Sequence, residues 1–256
     1  MLLAYALVYP IQISLPSGTL ATIVAGAVAG AVVSGMAGFA FSPVAGGLML
    51  HVLPPAAALP LLLWCSLLNQ VVGIVALRHS IRWRQSLRFI AVGLLGAPLG
   101  VEAALLIDPR VFGIGFGLLL IAYSMYMLGH PFVGTIRYDR LGAQVAVGFL
   151  GGVAGGLTAF PGSVLVVWSG LRGLPKAAQR ALVQPFILAM QMVSLAFFAR
   201  TAGWEAIVRA ELVFALPAVA LGTSLGLVLY GRVDEHQFRT LVLSLLTLSG
   251  LVLLLR

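Results

Sequence analysis

The chain has 256 residues, 61% of them apolar and only 9% charged, with a formal net charge of +8. Soluble domains carry about 25% charged residues, so this chain, at a mean hydropathy of +1.10, lacks the polar surface to dissolve in water and is an integral membrane protein. The excess of Arg and Lys does not point to nucleic acid, because those residues stand almost wholly between apolar stretches, where they orient the chain against the membrane and its anionic lipids.

In chain order, the first stretch is apolar but broken at Pro10 and Pro16, which suits an interfacial lead-in over 1–18. No basic residue precedes Arg78, so nothing resembles a cleavable signal. Residues 20–53 do not read as a simple helix. They open with Gly26, Gly30 and Ser34 at helical spacing, which permits close backbone approach between membrane helices. An interruption follows, Gly35-Met36-Ala37-Gly38-Phe39-Ala40-Phe41-Ser42-Pro43. Gly raises the cost of helix, and Pro removes a donor and clashes with the previous turn. The region is longer than one span of about 20 residues needs, and suits two half-helices joined by a turn.

Pro54 then starts a span at 56–77 that carries Cys65, Asn69 and Gln70; the single cysteine excludes an intramolecular disulfide and is a small apolar filler. A polar link containing Trp83 leads to spans at 87–107, which holds Glu102, and 111–128. No period-two alternation of barrel-strand length is present, which excludes an outer-membrane barrel.

The chain then begins again. Residues 35–88 reappear without a gap as 156–209, shifted by 121 positions. Phe39 matches Phe160, Ser42 matches Ser163, Leu53-Pro54 matches Leu174-Pro175, Gln70 matches Gln191, Trp83 matches Trp204 and Arg88 matches Arg209. Small apolar matches arise by chance in so apolar a chain; paired Gln, Trp and Arg in one register do not. The second copy of the broken region, 145–174, opens with Gly148, Gly152 and Gly156. It is interrupted by Gly155-Gly156-Leu157-Thr158-Ala159-Phe160-Pro161-Gly162-Ser163. A last span lies at 238–255. Duplicated hydrophobic halves with broken segments are a sequence signature of secondary transporters.

Orientation depends on whether the broken segments cross. If they cross, the halves are parallel and nine of fifteen basic residues lie inside. If they are re-entrant, each half makes three crossings and the halves are inverted. The links at 78–88, 130–140, 172–180 and 231–239 then hold eleven, leaving Arg110, Arg200, Arg209 and Arg256 outside with both termini. The positive-inside rule favours inversion. The expectation is an all-α polytopic membrane protein of two homologous halves, 19–134 and 141–256, each with a broken or re-entrant segment and three spanning helices.

A helix broken within the membrane exposes N–H groups that lipid cannot satisfy, which makes an anion site without a buried Arg. Gly35, Gly38, Gly156 and Gly162 allow close backbone approach, Phe39 and Phe160 flank them, and Ser42, Ser163 and Thr158 add hydroxyl donors. Gln70 and Gln191 lie at equivalent depths on the next span, each with two N–H donors. The bland reading makes the glycines packing residues and the glutamines interhelical glue, but polar side chains in mid-membrane are rare without a task. Glu102 is the most buried-looking acid and a candidate for proton coupling. Asn69 has no counterpart, since Met190 stands in its place, and Trp83 and Trp204 suit interface anchors. Arg180 either attracts anions from the cytoplasm or sets topology. An enzyme lacks its parts: the histidines all fall at span ends, Lys176 is the one lysine, and no metal-ligand spacing or cofactor motif occurs.

This layout, a Gly-broken first segment, Leu-Pro with following Ala residues, a basic link with Trp and two further spans, all repeated, resembles the sulfite exporter TauE/SafE family over 19–256. The resemblance implies an inner-membrane permease for sulfite, organosulfonates or related small carboxylates. Its usual run of glycines is replaced here by Gly-Met-Ala-Gly-Phe-Ala-Phe and Gly-Leu-Thr-Ala-Phe-Pro-Gly. A structural or assembly role is the alternative function. Substrate, direction, coupling ion and any association into homo-oligomers are not legible.

Overall fold

The computed structural model describes residues 16–129, 141–207 and 209–230, with scattered positions from 240 to 254. The lead-in over 1–15 and the links at 130–140 and 231–239 lie outside them. Every regular element among the described residues is a helix. In order they are α1 (Ser17–Ala37), α2 (Phe41–Met49), α3 (Pro55–Ala76), a 3₁₀ turn (Arg78–Ser80), α4 (Trp83–Leu106) and α5 (Pro109–Gly129). Then come α6 (Leu141–Thr158), α7 (Gly162–Leu171), α8 (Lys176–Ala202), α9 (Trp204–Ile207) and α10 (Leu212–Leu229). Among these, α1, α3, α4, α5, α6, α8 and α10 are long and apolar enough to cross a membrane. The chain is a multi-pass, all-α membrane protein.

The starts of α2, α3 and α4 recur 121 positions on, as the starts of α7, α8 and α9. Pro54 and Pro175 hold extended backbone before α3 and α8 in the same way. The fourth helix is the exception, since α4 is continuous and its counterpart is divided into α9 and α10.

The interruption lies later than the sequence pattern implies. Instead of two half-helices, α1 runs through Gly35 to Ala37, about 31 Å at 1.5 Å per residue. It stops where Gly38 turns left-handed (φ 87°) and its N–H caps the Ser34 carbonyl at 2.6 Å. Gly35 stays helical against α10; a Cβ there would lie 2.7 Å from the Thr223 carbonyl oxygen. Past Ala40, α2 doubles back along α1, with Gly30 facing Phe41 and Ala45 and Gly26 facing Ala45 and Leu48. In the second copy Ala159 stands where Gly38 does. It takes the left-handed turn with its Cβ (φ 55°), at a cost of about 1–2 kcal/mol.

Directions follow from contacts. Ser66 meets Gln191 and Gly73 meets Gln184, so α3 and α8 are antiparallel. The most extensive pairings are α4 with α6 and α10 with α1. Each joins the first helix of one copy to the fourth of the other, side by side in the same direction. In the first, Gly93, Gly96 and Gly100 interleave with Gly148, Gly152 and Gly156. A Cβ at Gly156 would lie 2.1 Å from the Ala97 carbonyl oxygen. Only glycine lets the backbones come this close.

Candidate functional site

The starts of α2 and α7 and the middles of α3 and α8 converge on one small void lined mostly by buried residues. Its walls come in pairs 121 positions apart: Phe39 with Phe160, Ala40 with Pro161, Gln70 with Gln191, and Ser66 with Ile187. Phe41, Ser42 and Ala159 complete it. The void measures about 10 Å³, room for about one water, so the site is occluded in this conformation. First-turn N–H groups have no acceptor within their own helix, so two positive helix ends meet here, although Pro43 has no N–H to give and the Ser163 N–H donates to the Phe160 carbonyl at 3.4 Å. Ala40 is left-handed too (φ 55°), and backbone strain of this kind collects at ligand sites.

The polar side chains around the void are only partly used. Gln70 Nε2 donates to the Gly38 carbonyl at 3.4 Å, and Gln191 Nε2 donates to Ser66 Oγ. The Oε1 atoms of both glutamines and the Ser42 hydroxyl are buried without a partner among the described residues. Each such group costs about 1–3 kcal/mol in a folded protein. Asn69, one position away, is the opposite case. It accepts from Ser34 Oγ at 2.6 Å and donates to Thr223 Oγ1 at 2.8 Å and to the Ala31 carbonyl at 3.4 Å. Asn69 spends its bonds holding α1, α3 and α10 together; Gln70 keeps some unspent.

The family model of the sulfite exporter TauE/SafE matches residues 22–253, which takes in both short helices and both glutamines. The chain belongs to the TauE/SafE family. Neither a curated relative nor a solved structure matches it. The family is one of membrane permeases for sulfur anions.

Around the void the TauE/SafE chain distributes its expected site residues unevenly. Phe39, Ser42, Gln70, Phe160 and Gln191 line it. Gly35 and Gly156 lie instead in the seams between helices, and Gly162 packs on Ile187 and Val183. Thr158 returns its hydroxyl to the Ala154 carbonyl at 2.7 Å, and Ser163 returns its own to the Phe160 carbonyl at 3.0 Å. Both hydroxyls are spent within their own turns. Glu102 is not buried: α4 turns Gly96 and Gly100 toward α6, which leaves Glu102 on the opposite, exposed face. Among the described residues the buried acid is Glu211, paired with Arg209 at 2.6 Å. Ser66 was legible only through its place one turn before Gln70 on the same helix face.

Among the described residues no charged side chain lines the void, but one stands directly behind it. Arg180 is 4% exposed, and its aliphatic stem lies against Gly38, whose carbonyl holds Gln70. Its guanidinium donates to the carbonyls of Gly35 (2.9 Å) and Met36 (3.3 Å) and lies 4.8 Å from the centre of the Tyr230 ring. It thereby caps the negative end of α1. Nε is unspent, and among the described residues no carboxylate pairs with it. The 121-position counterparts of Arg180 and Gln184 are Leu59 and Leu63, so these two polar side chains have no equivalent in the first repeat.

Proposed function

We propose that this permease carries a small oxyanion, sulfite or a related organosulfonate or carboxylate, across the cell inner membrane through the void between α2 and α7. The observation that carries the reading is the meeting of Gln70, Gln191 and Ser42, each with an unspent polar atom, where two short helices begin. Helix starts offer N–H donors without a buried charge of their own, which suits an anion in a membrane. The two amide oxygens accept, so they suit a cargo that also brings a proton, as hydrogen sulfite does. Flux into proteoliposomes across sulfite, sulfonates, sulfate and small carboxylates tests it. Sulfite or a sulfonate should move faster than through protein-free vesicles; folded protein that moves none of them leaves the structural role as the better account.

In the same reading the repeats, 19–134 and 141–256, face opposite ways across the membrane. The antiparallel α3 and α8, the exchanged seams of α4 with α6 and α10 with α1, and the eleven-to-four division of basic residues all favour it. Each short helix then closes the site toward one face, and the Arg180 and Gln184 side is the face with more basic residues. Topology gives a separate test. Ala202 is exposed at the end of α8, and Cys65, which is buried, is removed by Cys65→Ala. A cysteine at position 202 should react with a membrane-impermeant thiol reagent in intact cells. Protection until lysis means parallel halves.

A further inference from the structure

At the start of α4 a cleft of about 380 Å³ opens, and four arginines converge on it: Arg82, Arg84 and Arg88 from α4 and its approach, and Arg172 just past α7. Among the described residues no Asp or Glu lines it. Arg82, Arg84 and Arg88 are exposed, and the Arg172 guanidinium stacks on Trp168 at 5.0 Å from the ring centre. Gln85 and Gln144 add neutral donors at its walls. The positive-inside rule asks only that basic residues lie on one face; it does not ask four of them to share one cleft, where they repel each other. Nor did the duplication supply them. The 121-position counterparts of Arg82, Arg84, Arg88 and Arg172 are Gly203, Glu205, Arg209 and His51, so the opposite face keeps one arginine and gains an acid.

A cleft of this kind at the membrane surface takes a polyanion. Guanidinium groups pair with phosphate oxygens two bonds at a time, and the three exposed ones, Arg82, Arg84 and Arg88, suit a headgroup with two phosphodiesters. The volume is many times that of the central void, too large for a small cargo anion to fill. Beside Gln144 on α6, Leu141 and Val145 are exposed, giving apolar surface on which acyl chains lie. We propose that this cleft binds the headgroup of an anionic phospholipid, with a lipid of two phosphodiesters as the best fit. The inference stands apart from the transport reading, since it needs no cargo.

The test uses the full chain purified in neutral detergent. Thermal unfolding and native mass spectrometry are followed with added diphosphatidylglycerol or phosphatidylcholine. The wild type should retain one diphosphatidylglycerol and unfold at a higher temperature with it, and phosphatidylcholine should do neither. R84Q/R88Q should weaken retention at least tenfold while unfolding normally in phosphatidylcholine. R84Q and R88Q singly carry the test if the double variant does not accumulate. R110Q, which removes one arginine from the opposite face as R84Q or R88Q does from this one, should change nothing. Equal retention by wild type and R84Q/R88Q, or an equal loss in R110Q, overturns the site. Millimolar pyrophosphate without lipid should give no shift; a shift as large as the lipid's assigns the cleft to a soluble anion and overturns the proposal.

Discussion

Gln70→Leu and Gln191→Leu should each weaken anion binding by about tenfold to a hundredfold and leave a folded, extractable protein. A hydrogen bond to a charged group contributes about 1.5–3 kcal/mol, and 1.4 kcal/mol is a factor of ten in affinity. The cost to the fold is smaller, because each side chain makes one hydrogen bond among the described residues: Gln70 to the Gly38 carbonyl at 3.4 Å, Gln191 to Ser66. Ser42→Ala separates the two effects further. Its hydroxyl has no partner among the described residues, so its removal should not lower stability, yet should cost about tenfold in affinity. Asn69→Leu should do the reverse, lowering stability by breaking the tie among α1, α3 and α10 and leaving the remaining folded protein with ordinary affinity. Equilibrium binding of sulfite and the unfolding midpoint, measured on the same preparations, give both numbers. If the glutamine variants bind normally, both residues are glue.

Much of this is legible in the sequence. Composition fixed the membrane, and the 121-residue register fixed which helices would correspond. The paired glutamines stood out because a polar side chain in mid-span is expensive, and the void at which they meet is lined by pairs in that register. The rest was hidden for physical reasons. Repetition marks Ser163 as firmly as Ser42, but only geometry shows that Ser163 returns its hydroxyl to Phe160 and Ser42 does not. Glu102 looked buried because its neighbours in sequence are apolar. A membrane helix is apolar on its lipid face as well as its packed one, so periodicity does not separate the two. The one-sided position of Arg180 needed its counterpart, Leu59, to be placed on the opposite side of the void.

The glycine seams should be where the fold is least forgiving. Gly156→Ala should lower stability by about 3 kcal/mol or more, since overpacking costs about 1–3 kcal/mol even where side chains yield, and here the obstacle is backbone. The new Cβ would lie 2.1 Å from the Ala97 carbonyl oxygen and 2.6 Å from the Val101 nitrogen, so α4 and α6 must separate. In a chain of this size that is a fall of about 6–12 °C in the unfolding midpoint, and Gly156→Val should not accumulate. Gly35→Ala should be milder, because its nearest obstacle is 2.7 Å away. Gly113→Ala, inside α5 with nothing within 4 Å, should raise stability by about 0.5–1 kcal/mol through helix propensity alone. The same chemical change therefore has opposite signs at positions 113 and 156, and one unfolding series decides it. Equal effects would mean that the α4–α6 approach is not set by glycine. The consequence reaches the site, because α6 ends at Thr158 and hands Ala159 and Phe160 directly to the void. A shift of about 1 Å in that seam moves one wall of the void, and misplacement on that scale costs a precisely built site much of its affinity.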